Sequence, residues 1–428
     1  MNVVIVGIGR VGLVAVCCLV KSGHHVTGIE SNGTKLELLS ASVSPIYEKG
    51  VDDLLKEGVA SGRLTFSRSL PIPIEAEVLM ITVSTPPLDN GGADLSQVYN
   101  VIAQVKKAVR NPLVLVMKST VSPGTGVNLV KDYLEGTPIT YVANPEFLRA
   151  SQAIDDWYHP GRTVVGTAST QAADKVRQLY VDIEAPLLVT DITSAEMTKY
   201  AANAFLSTKV SFINEIANLC EAVGANIEDV VRGLGLDPRI GTAHLQPGLG
   251  YGGPCLPKDA RALEFLATSK GYDFKLLKAA IEVNARQRSL VIEKLKQSLG
   301  SLKGREIALL GLAFKPGVDD VTEAPALDIA RLLIAEGAKL RVYDPMAMDN
   351  ARPLLPDSAG FCKDIYSAAA GTCTIILATE WPEFIQADWN RIKKAMVEPY
   401  AVIDGRNTLP QERLLAIGFK YIGIGRGL

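Results

Sequence analysis

Short apolar runs alternate with longer helical patterns through roughly the first 190 residues of the chain. The runs that predict strands cover residues 3–6, 25–30, 78–83, 113–117 and 140–143. Strands that alternate with helical segments predict a parallel, doubly wound α/β sheet. In such sheets, function gathers at the carboxyl ends of the strands.

A helical pattern of unusual length follows and ends at Val223. The capping-box signature Thr193-Ser-Ala-Glu196 predicts its start, and Gly224 suits the position just after its end. Apolar positions recur at helical spacing through Met197, Tyr200, Ala204, Ile213 and Ala217. A helix of about 30 residues would be about 45 Å long, which is typical of a connection between domains or of a subunit interface.

A second series of strand patterns follows a glycine-bounded linker at residues 300–304. Its predicted strands cover residues 306–310, 339–344, 374–378 and 400–404. This series lacks a GxGxxG motif, so we expect a second nucleotide-type fold that does not repeat the first site. The predicted fold is therefore α/β, with two Rossmann-like doubly wound domains (1–190 and 301–428) joined by a helical middle domain (191–300) that contains the long helix.

Composition excludes several classes of function. The 428 residues carry a net charge of −2, which gives no electrostatic reason to expect a nucleic acid or an anionic membrane as a partner. No apolar run approaches about 18 residues, so no membrane span is predicted. Six cysteines without a CxxC pair favour a reduced, cytoplasmic protein. The four histidines lack ligand spacing, and we predict no metal site.

Gly7, Gly9 and Gly12 form a GxGxxG motif between the first predicted strand and a helical run. The glycines permit a tight turn and the close approach of a pyrophosphate to the helix N-terminus. The second predicted strand ends in Glu30. A carboxylate there would hydrogen-bond the ribose hydroxyls and repel a 2′-phosphate. The sequence therefore predicts NAD rather than NADP as the cofactor.

Polar segments follow three predicted strands: Ser84-Thr-Pro-Pro87, Lys118-Ser-Thr120 and Asn144-Pro-Glu146. Any one of them alone is typical of a turn or a helix cap. Because three occur in succession at the carboxyl ends of strands, we expect them to rim a cofactor cleft.

The segment from Gly248 to Arg261 crowds four glycines just before a candidate nucleophile. Cys255 immediately precedes a predicted helix whose first turn holds Pro257. A helix N-terminus and the nearby Lys258 both favour the thiolate, which is the nucleophilic form. A single cysteine is usually a small buried apolar residue, but this setting favours a catalytic thiol.

Lys199 and Asn203 lie four residues apart on the predicted long helix and so share a face. Such a pair can be merely solvated. The alanines and the phenylalanine around them indicate a partly buried face, where an unused ammonium would be costly. We therefore favour a functional pair.

Ordered motifs along the whole chain carry a family resemblance. They are Gly7-x-Gly9-x-Val11-Gly12, Thr85-Pro86, Lys118-Ser-Thr-Val-x-Pro-Gly-Thr125, Asn144-Pro-Glu-Phe-Leu-Arg149, Ala195-Glu-Met-x-Lys-Tyr-Ala-Ala-Asn203, Arg239-Ile-Gly241, Gly250-Tyr-Gly-Gly-x-Cys255, Pro257-Lys-Asp259, Gly311-Leu-Ala-Phe-Lys315 and Asp404-Gly-Arg406. With this set the chain resembles the UDP-glucose/GDP-mannose dehydrogenase family over essentially its full length.

The resemblance implies a four-electron oxidation of the C6 alcohol of a nucleotide sugar to a carboxylate, with two NAD⁺ used in turn. It implies that Cys255 attacks the intermediate aldehyde to give a thiohemiacetal and then a thioester. Lys199 and Asn203 match positions that stabilise the oxyanion. Thr120, Glu146 and Asp259 match positions that hold water or transfer protons.

The resemblance also assigns binding residues. Its cofactor positions are Gly7, Gly9, Val11, Gly12, Glu30, Lys35, Thr85 and Thr120. Its substrate positions are Phe147, Leu148, Arg149, Lys199, Asn203, Arg239, Tyr251, Gly252, Lys315 and Arg406. Arg239 matches a residue that reaches the substrate of the partner subunit, which implies a homodimer.

The resemblance favours UDP-glucose as substrate and UDP-glucuronate, a precursor for polysaccharide biosynthesis, as product. GDP-mannose, dTDP-glucose and N-acetylated UDP-sugars stay open, as do a two-electron β-hydroxyacid dehydrogenase and a non-catalytic NAD or sugar-nucleotide sensor. The chain departs from the family's usual residues at Arg10, Glu30, Ala150, Pro254, Leu256 and Thr322. Ala150 stands where a second glutamate is common.

Overall fold

The computed structural model describes residues 1–426. The chain divides into two compact units, which we name the amino-terminal unit (Met1–Ala202) and the carboxy-terminal unit (from Asn203 onward). The division falls inside the long helix. The finer division into three domains at residues 190 and 300 stays a prediction.

The amino-terminal unit is built on an eight-stranded sheet. Its strands are β1 (Asn2–Val6), β2 (His25–Ile29), β3 (Leu64–Ser67), β4 (Val78–Ile81), β5 (Leu113–Met117), β6 (Ile139–Ala143), β7 (Thr163–Gly166) and β8 (Leu187–Thr190). They lie in the order β3-β2-β1-β4-β5-β6-β7-β8, and every neighbouring pair is parallel except β6 with β7. The strand order reverses between β1 and β4, which is the switch point where such sheets bind ligands.

Helices cover both faces of this sheet. They are α1 (Arg10–Lys21), α2 (Gly33–Ser40), α3 (Val51–Ala60), α4 (Ser96–Ala108), α5 (Thr125–Leu129), α6 (Ala153–Tyr158) and α7 (Thr170–Leu179), and a π-helical turn at Val130–Leu134 continues α5. Because side chains alternate along a strand, Val3 and Ile5 pack in the buried cluster of α1, whereas Val4 and Val6 pack in that of α4. The doubly wound prediction is confirmed.

The long helix α8 (Ile192–Val223) begins in this unit and spans 32 residues. Gly224 follows it with a positive φ of 74°, as predicted. The predicted capping box at Thr193 is wrong. The helix starts earlier, and the Asp191 carboxylate accepts the Ser194 N–H at 2.8 Å. Glu196 does not cap its own helix, because its carboxylate binds the start of α5 instead: it accepts the N–H groups of Gly124 at 2.7 Å and Gly126 at 2.8 Å.

Glu196 should make stability depend on pH near neutrality. Burial raises the pKa of its carboxyl from an ordinary 4.5 to about 7, against the lowering effect of the two amides and Tyr141. The folded state therefore holds a proton that the unfolded chain has lost, so this stabilising contribution is complete below about pH 4.5 and is lost as pH rises through about 7. Its full size is about 3 kcal/mol.

Thermal denaturation of Glu196→Gln beside the parent protein, from pH 4 to 8.5, tests this. The parent's thermal midpoint, relative to that of the variant, should fall as pH rises from about 4.5 to about 7.5 and then level off. Exposed Glu184→Gln serves as the control and should show no such trend. A constant difference across the range for Glu196→Gln would contradict the prediction.

The carboxy-terminal unit contains a six-stranded sheet in which all neighbouring pairs are parallel. Its strands are β9 (Glu306–Leu310), β10 (Lys339–Tyr343), β11 (Gly360–Phe361), β12 (Thr374–Leu377), β13 (Ala401–Asp404) and β14 (Lys420–Gly423), in the order β11-β10-β9-β12-β13-β14. Its helices are α9 (Ile227–Gly235), α10 (Leu256–Ser269), α11 (Lys275–Leu299), α12 (Pro325–Ala335), α13 (Met348–Ala351), α14 (Ile365–Ala369), α15 (Pro382–Ile385), α16 (Trp389–Ala395) and α17 (Gln411–Ile417), with a 3₁₀ turn at Arg352–Leu354.

The nine predicted strands are found within two residues at each end. The prediction missed β3, β7, β8, β11 and β14. Four of these are the edge strands of the two sheets, and β7 has only four residues.

Within the part of the chain that the structure describes, no helix is both long enough and apolar enough to cross a membrane.

Candidate active site

The β1–α1 turn has the backbone that a dinucleotide needs. Gly7 has a φ of +97°, and a Cβ on it would lie 2.9 Å from Val83. A Cβ on Gly12 would collide with the carbonyl oxygen of Gly7, so only glycine lets the helix pack this close to the strand. Gly9 precedes the first helical residue and brings no side chain to the helix N-terminus. The turn therefore fits a pyrophosphate lying against exposed backbone N–H groups.

Glu30 lies immediately after β2, at the position expected for ribose recognition. Its side chain is 8% exposed, and Oε1 accepts the Asn32 N–H at 2.9 Å. Among residues 1–426, Oε2 has no hydrogen bond and is available to a ribose hydroxyl. Lys35 lies in the first turn of α2, where its N–H donates to the Asn32 side chain at 3.0 Å.

Side-chain hydrogen bonds join the segments that follow β4 and β5. Thr85 Oγ1 donates to the carbonyl oxygen of Thr120 at 2.8 Å, and Ser119 Oγ donates to that of Val83 at 2.7 Å. The two predicted cofactor residues, Thr85 and Thr120, are therefore brought together beside the turn that holds Gly7.

Glu146 lies beyond the end of β6 and forms a buried ion pair. Its Oε1 is 3.1 Å from Lys199 Nζ, and the two side chains are 7% and 6% exposed. Its Oε2 accepts the Leu148 N–H at 2.5 Å. The Lys199 ammonium also lies 5.4 Å from the centre of the Phe147 ring. The sequence indicated each of these residues, but it did not indicate that Glu146 and Lys199 pair.

Asn144, two residues before Glu146, is held by a network that sequence reasoning missed. Lys118 Nζ donates to Asn144 Oδ1 at 3.1 Å and to the Tyr180 hydroxyl at 2.9 Å. Tyr180 donates to the same Oδ1 at 2.6 Å, and Asn144 Nδ2 donates to the carbonyl of Val164 at 2.8 Å. The signal in the sequence was a lysine, Lys118, directly after a wholly apolar strand.

Arg149 forms an ion pair within the unit rather than joining Glu146. Its guanidinium binds the Asp156 carboxylate, with Nη2 at 2.6 Å from Oδ1 and Nε at 3.0 Å from both oxygens. Asp156 also accepts the Arg149 N–H at 2.6 Å. This double attachment fixes the end of the 144–149 segment, and its role as a substrate contact stays a prediction.

In the carboxy-terminal unit, Cys255 occupies the N-cap position of α10, and Pro257 lies in the first turn as predicted. The Asp259 carboxylate, which is 1% exposed, lies one turn further along. Its Oδ2 accepts Asn203 Nδ2 at 2.6 Å, and Oδ1 accepts Lys258 Nζ at 2.6 Å. The Asp259 N–H donates to the Cys255 carbonyl at 2.9 Å. Cys255 is exposed, in contrast with its buried neighbour Asp259.

The glycine-rich segment before Cys255 is fixed by three buried amide side chains that sequence reasoning missed. Asn214 accepts the Gly248 N–H at 2.8 Å, and Gln287 donates to the Gly248 carbonyl at 2.8 Å. Asn284 accepts the Tyr251 N–H at 2.7 Å and donates to its carbonyl at 3.1 Å. The signal was two polar residues, three apart, on the otherwise apolar face of α11.

The remaining substrate positions of this unit lie in several surroundings. A Cβ on Gly252 would collide with the carbonyl oxygen of Glu323. Lys315 follows β9 and Arg406 follows β13, so both lie at the carboxyl edge of the second sheet. Arg406 Nε donates to the Ala378 carbonyl at 2.7 Å. Arg239 is exposed and binds Asp237, with Nη2 at 2.6 Å from Oδ2.

Asp344 follows β10 as Glu30 follows β2, but its carboxylate is used inside the protein. It is 1% exposed. Its hydrogen-bond donors, at 2.7–3.0 Å, are the backbone N–H groups of Leu312, Ala313, Met346 and Ala347 and the indole N–H of Trp381. Because five donors already occupy this carboxylate, it is not available to a ribose, in contrast with the role predicted for Glu30. No group of three or more His, Cys, Asp or Glu that could hold a metal occurs in the described residues.

Three family models match the chain in order. The model for the NAD binding domain of the UDP-glucose/GDP-mannose dehydrogenase family matches residues 1–184, that for the central domain 193–286, and that for the UDP binding domain 308–411. The chain belongs to this family. It is therefore an NAD-dependent oxidoreductase of nucleotide sugars, and the predicted cofactor is confirmed.

Similar proteins match over the full length. The chain is 41% identical to UDP-glucose 6-dehydrogenase YwqF of Bacillus subtilis (100% of this chain, 98% of the relative). It is 40% identical to UDP-glucose 6-dehydrogenase of Pseudomonas aeruginosa (100% and 98%). Among solved structures, a UDP-glucose dehydrogenase from Pyrobaculum islandicum matches with a TM-score of 0.91 at 34% identity (100% and 98%). A UDP-D-ManNAc dehydrogenase from Pyrococcus horikoshii matches with a TM-score of 0.89 at 27% identity (100% of both chains).

Proposed function

We propose that the protein oxidises UDP-glucose to UDP-glucuronate through a thioester on Cys255. The observation that carries the proposal is the exposed Cys255 at the N-terminus of α10, one turn before a buried aspartate whose two oxygens are both bound. Full-length relatives at about 40% identity that are named UDP-glucose 6-dehydrogenase favour this substrate. The partial positive charge of the helix end stabilises the thiolate.

The proposed reaction has three covalent stages. NAD⁺, when bound, accepts one hydride from C6 at each of two oxidations. In the first, the C6 alcohol loses a hydride and a proton and becomes an aldehyde. The Cys255 sulfur then bonds to C6, and the thiohemiacetal loses a second hydride and a proton to become a thioester. Water finally bonds to C6, the C–S bond breaks, and the sulfur regains its proton.

Four buried side chains, those of Lys199, Asn203, Glu146 and Asp259, are suited to the charges that develop at C6 and on the attacking water. We assign to Lys199 and Asn203 the stabilisation of the oxyanion at C6. The Glu146 side chain holds Lys199 Nζ at 3.1 Å, and we assign to Glu146 the acceptance of a proton from water. Asp259 holds the Asn203 amide by accepting its N–H, which orients the amide before substrate arrives. Thr120 is assigned a place beside the water.

Each molecule of UDP-glucose should yield two NADH. The physical reason is that a thiol adduct at C6 retains the aldehyde for a second hydride transfer. Limiting sugar is titrated into excess NAD⁺, and NADH is counted by absorbance. One NADH per sugar would remove the thioester mechanism and restore the two-electron alternative. The same assay with GDP-mannose, dTDP-glucose and N-acetylated UDP-sugars measures which nucleotide sugar the enzyme prefers as substrate.

We further propose that the protein works as a cytoplasmic homodimer. One face of α8 exposes Phe205, Phe212 and Leu219, which follow one another at seven-residue intervals and are 64%, 53% and 57% exposed. An apolar stripe of this kind is typical of a helix that packs on another copy. Arg239 is also exposed and free to contact a partner's substrate through its unused guanidinium surface.

Mixing two inactive variants should restore activity if Arg239 serves the partner subunit. In a heterodimer of Arg239→Ala with Cys255→Ala, the first chain supplies the thiol and receives Arg239 from the second. Random exchange of subunits should give roughly a quarter of the parent activity, because half the dimers are mixed and each has one complete site. Exchange is verified by native mass spectrometry. Mixed dimers without activity would show that Arg239 serves its own subunit.

A further inference from the structure

A recess at the carboxyl edge of β5 and β6 is lined by the 144–148 segment. Its cavity volume is about 40 Å³, and its walls include Lys118, Asn144, Glu146, Trp157, Arg162 and Tyr180. All its lining residues belong to the amino-terminal unit. The carboxyl edge of a doubly wound sheet is where such folds place their ligands.

The charges around this recess do not balance. Its two acids are each matched by a cation, Glu146 by Lys199 at 3.1 Å and Asp156 by Arg149 at 2.6 Å. Among the described residues, no carboxylate lies within ion-pair distance of Lys118 or Arg162, the other two cations of the lining. The recess therefore carries an excess of two positive charges.

Arg162 has its hydrogen-bonding capacity unused. Its guanidinium carbon lies 3.5 Å from the centre of the Phe147 ring. In residues 1–426 its side chain has no hydrogen-bond partner, although a guanidinium has five N–H donors. Burial lowers the pKa of this guanidinium, and no neighbour compensates. A partly buried cation that lies against a ring and has no acceptor among the described residues is suited to an anion from outside the chain.

Lys118 is the second cation of the lining that has no anionic partner among the described residues. It is 5% exposed, and its ammonium donates to two neutral oxygens, of Asn144 and Tyr180. The Trp157 and Tyr180 rings lie 5.5 and 5.4 Å from Nζ. An ammonium has three N–H donors, so one is left for a ligand.

We propose that this recess is an oxyanion subsite, in which Arg162 and Lys118 bind a carboxylate or phosphate group. Two sources have this chemistry: the C6 carboxylate that the reaction produces, and free inorganic phosphate. Binding of the product carboxylate depends on the proposed function, since Glu146 lines the recess and is assigned to the water that creates the carboxylate. Binding of inorganic phosphate does not depend on it.

The test uses the full-length enzyme saturated with NAD⁺, so that the pyrophosphate turn is blocked. Binding of UDP-glucuronate, UDP and inorganic phosphate is measured by calorimetry for the parent and for Arg162→Gln. Phosphate is titrated with UDP also saturating, at constant ionic strength. Arg162→Lys retains the charge, and Arg177→Gln is the control, because Arg177 is an exposed arginine of α7 that pairs with Asp174.

If the product carboxylate is the ligand, Arg162→Gln should weaken the binding of UDP-glucuronate roughly tenfold or more, because a charged hydrogen-bonded contact is lost. The affinity for UDP should stay unchanged. If free oxyanion is the ligand, the variant should lose phosphate binding and retain the affinity for UDP-glucuronate. Arg162→Lys should recover part of either effect, and Arg177→Gln should show neither. Unchanged affinities for both ligands in Arg162→Gln and in Lys118→Met would overturn the proposal. A yield of one NADH per sugar would defeat the proposed function while leaving the phosphate result intact.

Discussion

Replacing Glu146 with glutamine should give an enzyme that produces a burst of about two NADH per active site and then stalls. The glutamine still accepts the Leu148 N–H, but it has no basic oxygen to take a proton from water. General-base help of this kind is typically worth about 10²–10⁴-fold. Because Ala150 stands where the family commonly has a second glutamate, Glu146 is expected to carry this role alone.

Rapid-mixing absorbance measures the burst, and intact-protein mass should show the sugar acyl group on Cys255. Loss of the carboxylate also removes the ion pair between residue 146 and Lys199, so the thermal midpoint of the variant with NAD⁺ is measured to verify folding. Glu184→Gln, an exposed glutamate of the same unit, should behave as the parent does. Normal steady-state turnover without an adduct would show that another group, such as Asp259, accepts the proton from the attacking water.

Replacing Cys255 with alanine should abolish formation of the acid, by on the order of 10³-fold or more, because no sulfur remains to hold the aldehyde. Because the substitution removes one small, exposed side chain at a helix N-cap, folding should be retained, and the thermal midpoint of the variant is measured to verify this. Aldehyde and NADH should form in equal amounts when the aldehyde is trapped with a hydrazine.

Cys362→Ala is the matched control for that experiment. Cys362 belongs to the same unit, is partly exposed and lies immediately after β11. It should retain two NADH per sugar. If Cys255→Ala forms the acid at the parent rate, then either another residue forms the covalent intermediate or the reaction has none.

Much of the fold could be predicted because its central strands are buried on both faces. Residues 113–117, for example, are apolar at every position and all five are buried. The missed edge strands are short and carry shorter apolar runs: β11 has only two residues, Gly360 and Phe361, and β3 reads Leu64-Thr-Phe-Ser67. The position of Cys255 before a helix could be predicted because Pro257 and Asp259 mark the first turn of that helix.

The partners of the site residues could not be predicted, because they join segments far apart in sequence. Lys199 and Glu146 are 53 positions apart, and Asn203 and Asp259 are 56 apart. Glu196 shows how local rules fail. The sequence assigned it to the cap of its own helix, but two N–H groups at the start of α5 lie within reach and take its carboxylate.

The contrast between Glu30 and Asp344 has an evolutionary consequence. Glu30 makes one hydrogen bond to the chain, and its other oxygen is predicted to bind the cofactor ribose, so we expect a mutation there to alter which cofactor is accepted and to leave the sheet intact. Asp344 joins the loops after β9, β10 and β12, so its loss would release five donors inside a folded domain. A single substitution can therefore change ligand preference in the first sheet during evolution. In the second sheet the equivalent substitution would first destabilise the domain.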